Sequence, residues 1–112
     1  MSVTAKVLVP SKTVENSQTT QYTADKVTTI IDKFTMTNYS ASTVKVSVNL
    51  VKSGTSAGNA SLIVKEKVLA ASETYTFPEL IGQILNNGDF ISTLSDTASA
   101  VNMRVSGREI IR

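Results

Sequence analysis

The chain has 112 residues, a mass of 12.0 kDa, a net charge of +2, and neither cysteine nor histidine. Disulfides, thiolate metal sites and the commonest general base are thereby excluded from its chemistry. Only 18% of residues are charged, and the basic ones are spread along the chain, so no strong field gathers nucleic acid or a membrane surface.

A chain of this length forms one domain and buries roughly two-thirds of the surface it exposes when unfolded. Its 15 Thr, 14 Ser and 13 Val suit half-buried pleated surfaces. The opening "MSVTAKVLVPSKT" has a short apolar run ending at Pro10, unlike a signal peptide, and no apolar run reaches membrane-spanning length. The expectation is a soluble protein made in the cytoplasm.

Residues 3–9 alternate as a first strand, with Val3, Ala5, Val7 and Val9 in one row and Pro10 at its end or on an edge. Residues 11–26 are polar, with Tyr22 the only large anchor, and read as a loop, an arm on a neighbour, or an edge strand. Residues 27–38 form a long strand with Ile30, Phe34 and Met36 on one face. Asp32 falls in that apolar row, which predicts a bulge near Ile31-Asp32. "NYSAS" (38–42) is a turn.

"TVKVSVNLV" (43–51) alternates almost perfectly, with Val44, Val46, Val48 and Leu50 against Thr43, Lys45, Ser47 and Asn49. "SGTSAGNA" (53–60) is a loop of small residues. Residues 61–70 fit a strand better than a helix, with Lys65 and Lys67 projecting together. "ETYTFPEL" (73–80) places Tyr75 and Phe77 on one face, "LIGQIL" (80–85) is a helical turn or short strand, and "NNGD" turns at Gly88. A strand over 90–95 and another over 100–106, with Val101, Met103 and Val105 inward, precede Gly107 and the terminal "REIIR". Seven or eight strands at roughly ten-residue intervals predict an all-β, antiparallel, jelly-roll-like β-sandwich.

Chemistry is sparse. Asp89 and Asp96 sit where a carboxylate caps its own turn, and Asp25 and Asp32 lack calcium-loop spacing. "GTSAGN" (54–59) lacks the Lys-Ser/Thr of a phosphate loop. Phe34, Tyr75, Phe77 and Phe90 read as core, leaving Tyr22 and Tyr39 as candidate exposed rings. No catalytic, cofactor-binding or metal-ligating residue is assigned, and a non-enzymatic protein is expected.

The stretches "QYTADKVTTIIDKFTMTNYSASTVKVSVNLV", "LAASETYTFPEL" and "LNNGDFISTLSDTASAVNMRVSGREI" resemble a module in small virion proteins of tailed bacteriophages. The resemblance rests on Tyr22-Thr23-Ala24, Asn38-Tyr39-Ser40, Gly88-Asp89-Phe90-Ile91 and Ala100 through Gly107, and runs from Gln21 to Ile110. It implies a β-sandwich that assembles on a virus particle as a capsid decoration (cement) protein or a tail or fibre component. It implies no catalytic residues.

The expected partners are therefore a second copy of the chain in a homo-oligomer, taken as a trimer, and the major capsid protein or tail proteins. Nucleic acid, membrane and cofactors are not among them. A tail, collar or fibre attachment component is the alternative within the class. A carbohydrate-binding host-attachment module is the alternative outside it. Residues 1–20 read as an N-terminal strand or arm contacting a neighbouring subunit, and 21–112 as the sandwich. Val7, Val9, Tyr22, Ile110, Ile111 and Arg112 are the candidate partner contacts, because adjacent isoleucines in the terminal segment have no core of their own to fill. Deleting residues 1–16 is expected to leave a folded domain.

Overall fold

A computed structural model describes residues 1–111. Among them are nine strands: β1 (Ser2–Thr13), β2 (Thr19–Thr23), β3 (Thr28–Asn38), β4 (Val44–Val51), β5 (Leu62–Leu69), β6 (Thr74–Tyr75), β7 (Ile84–Leu85), β8 (Phe90–Ser95) and β9 (Val101–Ile111). One sheet runs β1-β9-β3-β6, with β7 also on β3; the other runs β2-β8-β4-β5. Every pairing is antiparallel. The fold is the expected antiparallel β-sandwich. The count exceeds the expected one because β6 and β7 are only two residues each.

The core is where the alternating rows of both sheets meet. Val44, Val46 and Val48 of β4 face Ile31, Phe34 and Met36 of β3 and Met103 and Val105 of β9 in one cluster of buried side chains. Phe34 and Phe77 meet edge to face at 5.0 Å, and Tyr75 joins Phe77 at 4.6 Å. Each buried aromatic of this kind contributes about 1.5–3 kcal/mol. Phe90 departs from expectation: it is only partly buried, on the face opposite Ile91, and lies outside that cluster.

The second half of the polar row beside β4 is also covered, while Thr43 and Lys45 stay exposed. Asn49 is 2% exposed and Ser47 9%. The 53–61 loop folds back over this face, and the Asn49 amide donates to Gly58 O and Ser61 Oγ, both at 3.0 Å. Gln18 donates to Ser92 Oγ at 2.7 Å, and the Glu66 amide donates to Ser47 Oγ at 2.9 Å. Strict alternation marks a polar face, but at Ser47 and Asn49 that face is an internal hydrogen-bonded seam rather than open surface.

Residues 1–20, read as a strand or arm, supply β1 to the first sheet and Leu8, Val9 and Val14 to the core. Deleting residues 1–16 therefore strips three core side chains and exposes Met103 and Val105, and the expectation of a folded remnant is corrected.

Two bulges flank one point of β9. The β1–β9 register slips between Val7↔Ser106 and Val9↔Val105, and the β3–β9 register slips between Ile31↔Gly107 and Lys33↔Ser106. The second is the bulge expected at Ile31-Asp32. Ser106 lies between them with Gly107 next to it, and a Cβ at Gly107 would sit 2.2 Å from Ile30 O and 2.8 Å from Leu8 Cδ1. Only glycine lets the two bulged strands approach so closely. Beyond this belt β1, β9 and β3 continue as a ribbon, and the molecule measures 46 × 26 × 20 Å.

Candidate interaction surface

On the ribbon, residues directly opposed across strands share a face. The pairs Val3↔Ile110, Ala5↔Arg108, Val7↔Ser106, Thr28↔Ile110, Ile30↔Arg108 and Ile30↔Ile84 place Val3, Ala5, Val7, Ile30, Ile84 and Ile110 on the outer face. Val3 is 52% and Ile84 57% exposed. At the centre Arg108 grips Asp32 through two nitrogens, Nη2 to Oδ1 at 2.9 Å and Nε to Oδ2 at 3.0 Å. This exposed pair neutralises itself and adds little stability. The result is a largely aliphatic outer surface, with the exposed cations Lys33 and Arg104 on the same face at the belt end.

The opposite face of the ribbon is tied to the second sheet. The Tyr22 hydroxyl on β2 donates to Glu109 Oε2 and receives the Thr29 hydroxyl at 2.7 Å. Lys6 Nζ donates to Glu109 Oε1 at 3.2 Å. Burial, and next the hydrogen bond to Glu109, push the Tyr22 hydroxyl up to about 12. Nearer the core, the hydrogen bond from Lys12 holds the Glu15 carboxyl below its usual range.

The candidate contacts are thus divided by the fold. Val7 and Ile110 lie together on the outer face. Ile111 is 46% exposed but pairs with Ser2 on the opposite face. Tyr22 spends its hydroxyl on the internal clamp. Val9 is 1% exposed and belongs to the core. Arg112 lies outside the described residues. Sequence reasoning missed Ile84 on the outer face, read Ile30 on one face with Phe34 and Met36, from which the bulge at Asp32 separates it, and read Val3, Ala5 and Val7 as one row with Val9. The bulge after Val7 breaks that row, so the first three point outward and Val9 inward.

The motifs that carried the virion resemblance are holding devices. Asn38 is fully buried; its amide donates to Ser42 O, Leu69 O and Ala70 O, and its Oδ1 accepts from Ser40. Asp89 accepts from the Ser53 and Asn86 amides, both at 2.9 Å, and Gly88 beside it has φ +89. Asp96 accepts from the Lys45 amide at 3.0 Å. Lys65 and Lys67, expected side by side, part company at Glu66, whose φ of 51 lies within a bulge of β5 against β4. Lys67 turns onto the Tyr75 ring at 4.4 Å.

One depression, about 460 Å³, is open and lined by Lys26, Val27, Thr28, Asn86, Asn87 and Ile110. Another of about 400 Å³ holds Glu66, Asp96 and Lys45 around Ser47. Asp96 is already occupied by the Lys45 amide and the Thr97 hydroxyl, which leaves this depression without an arrangement that would activate a nucleophile. Among the described residues, no three acidic, His or Cys side chains converge on a metal-sized space, no helix is long and apolar enough to cross a membrane, and no buried side-chain polar atom is unpartnered. Comparison with protein families, curated proteins and solved structures finds no match.

Proposed function

We propose that this chain is a structural protein of a bacteriophage virion, a capsid decoration protein that binds and stabilises the outer capsid surface as an oligomer. What supports the reading, beside the sequence resemblance, is the outer face of the ribbon. Its aliphatic side chains stand exposed around a self-neutralised ion pair, so docking on the outer half of the ribbon, away from Lys33 and Arg104, desolvates little net charge. The polar side chains of the sandwich interior are all spoken for by internal partners. Many copies of a modest contact, repeated over a symmetric shell, add through avidity.

The reading is tested by locating the protein in an image of the particle. A shell decoration requires on the order of hundreds of copies in register with the capsid lattice. A few copies on the tail axis would assign it to the tail instead, and absence from the particle would refute the virion role.

A further inference from the structure

We propose that the free edge of β1 pairs antiparallel with the same edge of a second copy of this chain, with a two-fold axis through Ala5. β1 ends its sheet and is paired only with β9. Its side chains from Ser2 to Val7 are all exposed, and over this stretch its register with β9 is unbroken. A regular strand edge offers its outward N–H and C=O groups as a template for another strand.

Symmetry and charge then select the register. In a two-fold pair residue i meets j while j meets i, and directly opposed side chains lie on one side of the sheet, so the axis must pass through a residue. Thr4, Ala5 and Lys6 are the central choices. An axis at Lys6 sets two ammonium groups directly opposite, which is destabilising. An axis at Thr4 sets Val7 against Met1, which precedes the strand, and so shortens the paired ladder. The Ala5 axis sets Val3 against Val7 of the other copy on the outer face and Thr4 against Lys6 on the inner face. The only cation in the stretch therefore meets a hydroxyl, while its charge is already met by Glu109 of its own chain.

The same register joins the two outer faces, with the valines of both copies at the seam and the self-neutralised Arg108–Asp32 pair of each copy between that seam and its Ile30 and Ile84. Pairing stops naturally toward Pro10, where the bulges at Val7/Val9 and Val9/Lys12 end the regular edge. The inference stands on this edge alone and not on the virion role. Particle occupancy tests that role, and mass in solution tests this pairing.

Sedimentation velocity on the full chain is the experiment. The wild type is expected to be dimeric at ~100 µM and to dissociate on dilution, as an interface smaller than about 1,200 Å² does. Ala5→Lys sets like charges at the axis and is expected to weaken the dimer about tenfold. Ala5→Glu does the same more mildly, because Arg108 lies opposite it on β9. An equimolar mixture of the two variants is expected to dimerise more tightly than either alone. Amide exchange over Ser2–Val7 in the wild type is expected to slow as concentration rises. A wild type that stays monomeric, one that is trimeric, or a dimer indifferent to both substitutions would overturn the proposal.

Discussion

β1 and β5 are both long edge strands, and both expose aliphatic side chains: Val3 at 52% on one, Val68 at 49% on the other. They differ in backbone. β5 carries three successive charges, Lys65, Glu66 and Lys67, and Glu66 at positive φ breaks its ladder with β4. Interruptions of this kind blunt an edge against further pairing. The outer half of β1 runs unbroken from Ser2 to Val7 with a single charge. An exposed valine alone is no template for pairing; a regular backbone beneath it is.

The contrast is broken most severely at Gly107. Gly107→Ala drives a methyl group into Ile30 O and Leu8, so β1 and β3 cannot both keep their places on β9. A loss of about 3 kcal/mol or more is expected in urea denaturation. An unchanged midpoint would mean that the belt of bulges is not a tight contact.

Removing Ser2–Val7 takes away the smooth edge but no core side chain. The remnant is expected to fold with the same strand content by circular dichroism, at a cost of about 1–2 kcal/mol for the lost pairing. It is also expected to be monomeric. A collapse of the fold would show that the ribbon props up the sandwich rather than extending from it.

Tyr22→Phe removes the clamp between the ribbon and β2 and is expected to cost about 1 kcal/mol. The pH dependence carries a specific sign. Because the Tyr22 hydroxyl is pushed up to about 12 in the folded chain, its contribution is complete below its ordinary value of 10.0 and is lost as pH rises toward 12. Tyr22→Phe should flatten that alkaline decline, as read by melting temperature between those limits. Glu15 acts with the opposite sign. Its lowered value contributes stability above the ordinary 4.5 that is lost as pH falls further.

The smallest effect is expected at Glu66→Gly. Glycine relieves the positive φ of 51 but frees the unfolded chain, so the net change should stay within about 1 kcal/mol. The informative readout is association: if the charges and the break guard β5, the variant combined with Lys65→Ser and Lys67→Ser should self-associate where the wild-type edge does not.

The core rows were legible because alternation is a local signal: Val44, Val46 and Val48, and likewise Val101, Met103 and Val105, point where their spacing places them. The bulge at Asp32 was legible for the same reason, since a charge in an apolar row needs an extra residue to escape it. The slip after Val7 was not, because "VLV" offers apolar side chains whichever way it turns. The buried seam at Ser47 and Asn49 was equally invisible, for its cover comes from Gln18 on a distant segment and from the fold-back of the 53–61 loop, neither of which alternation within β4 reports. Val9 and Tyr22 were marked as contacts on their apolar or aromatic character, and the fold uses both internally.

The extra residue at Leu8 sets the parity of everything before it. Shortening the chain there by one position would rotate the leading segment half a turn, sending Val3, Ala5 and Val7 toward the Tyr22 side and Thr4 and Lys6 to the outside. The same composition would then present a hydrophilic flank. Which character this end of the molecule shows to its surroundings is thus decided by counting, one residue more or fewer, rather than by which amino acids are present.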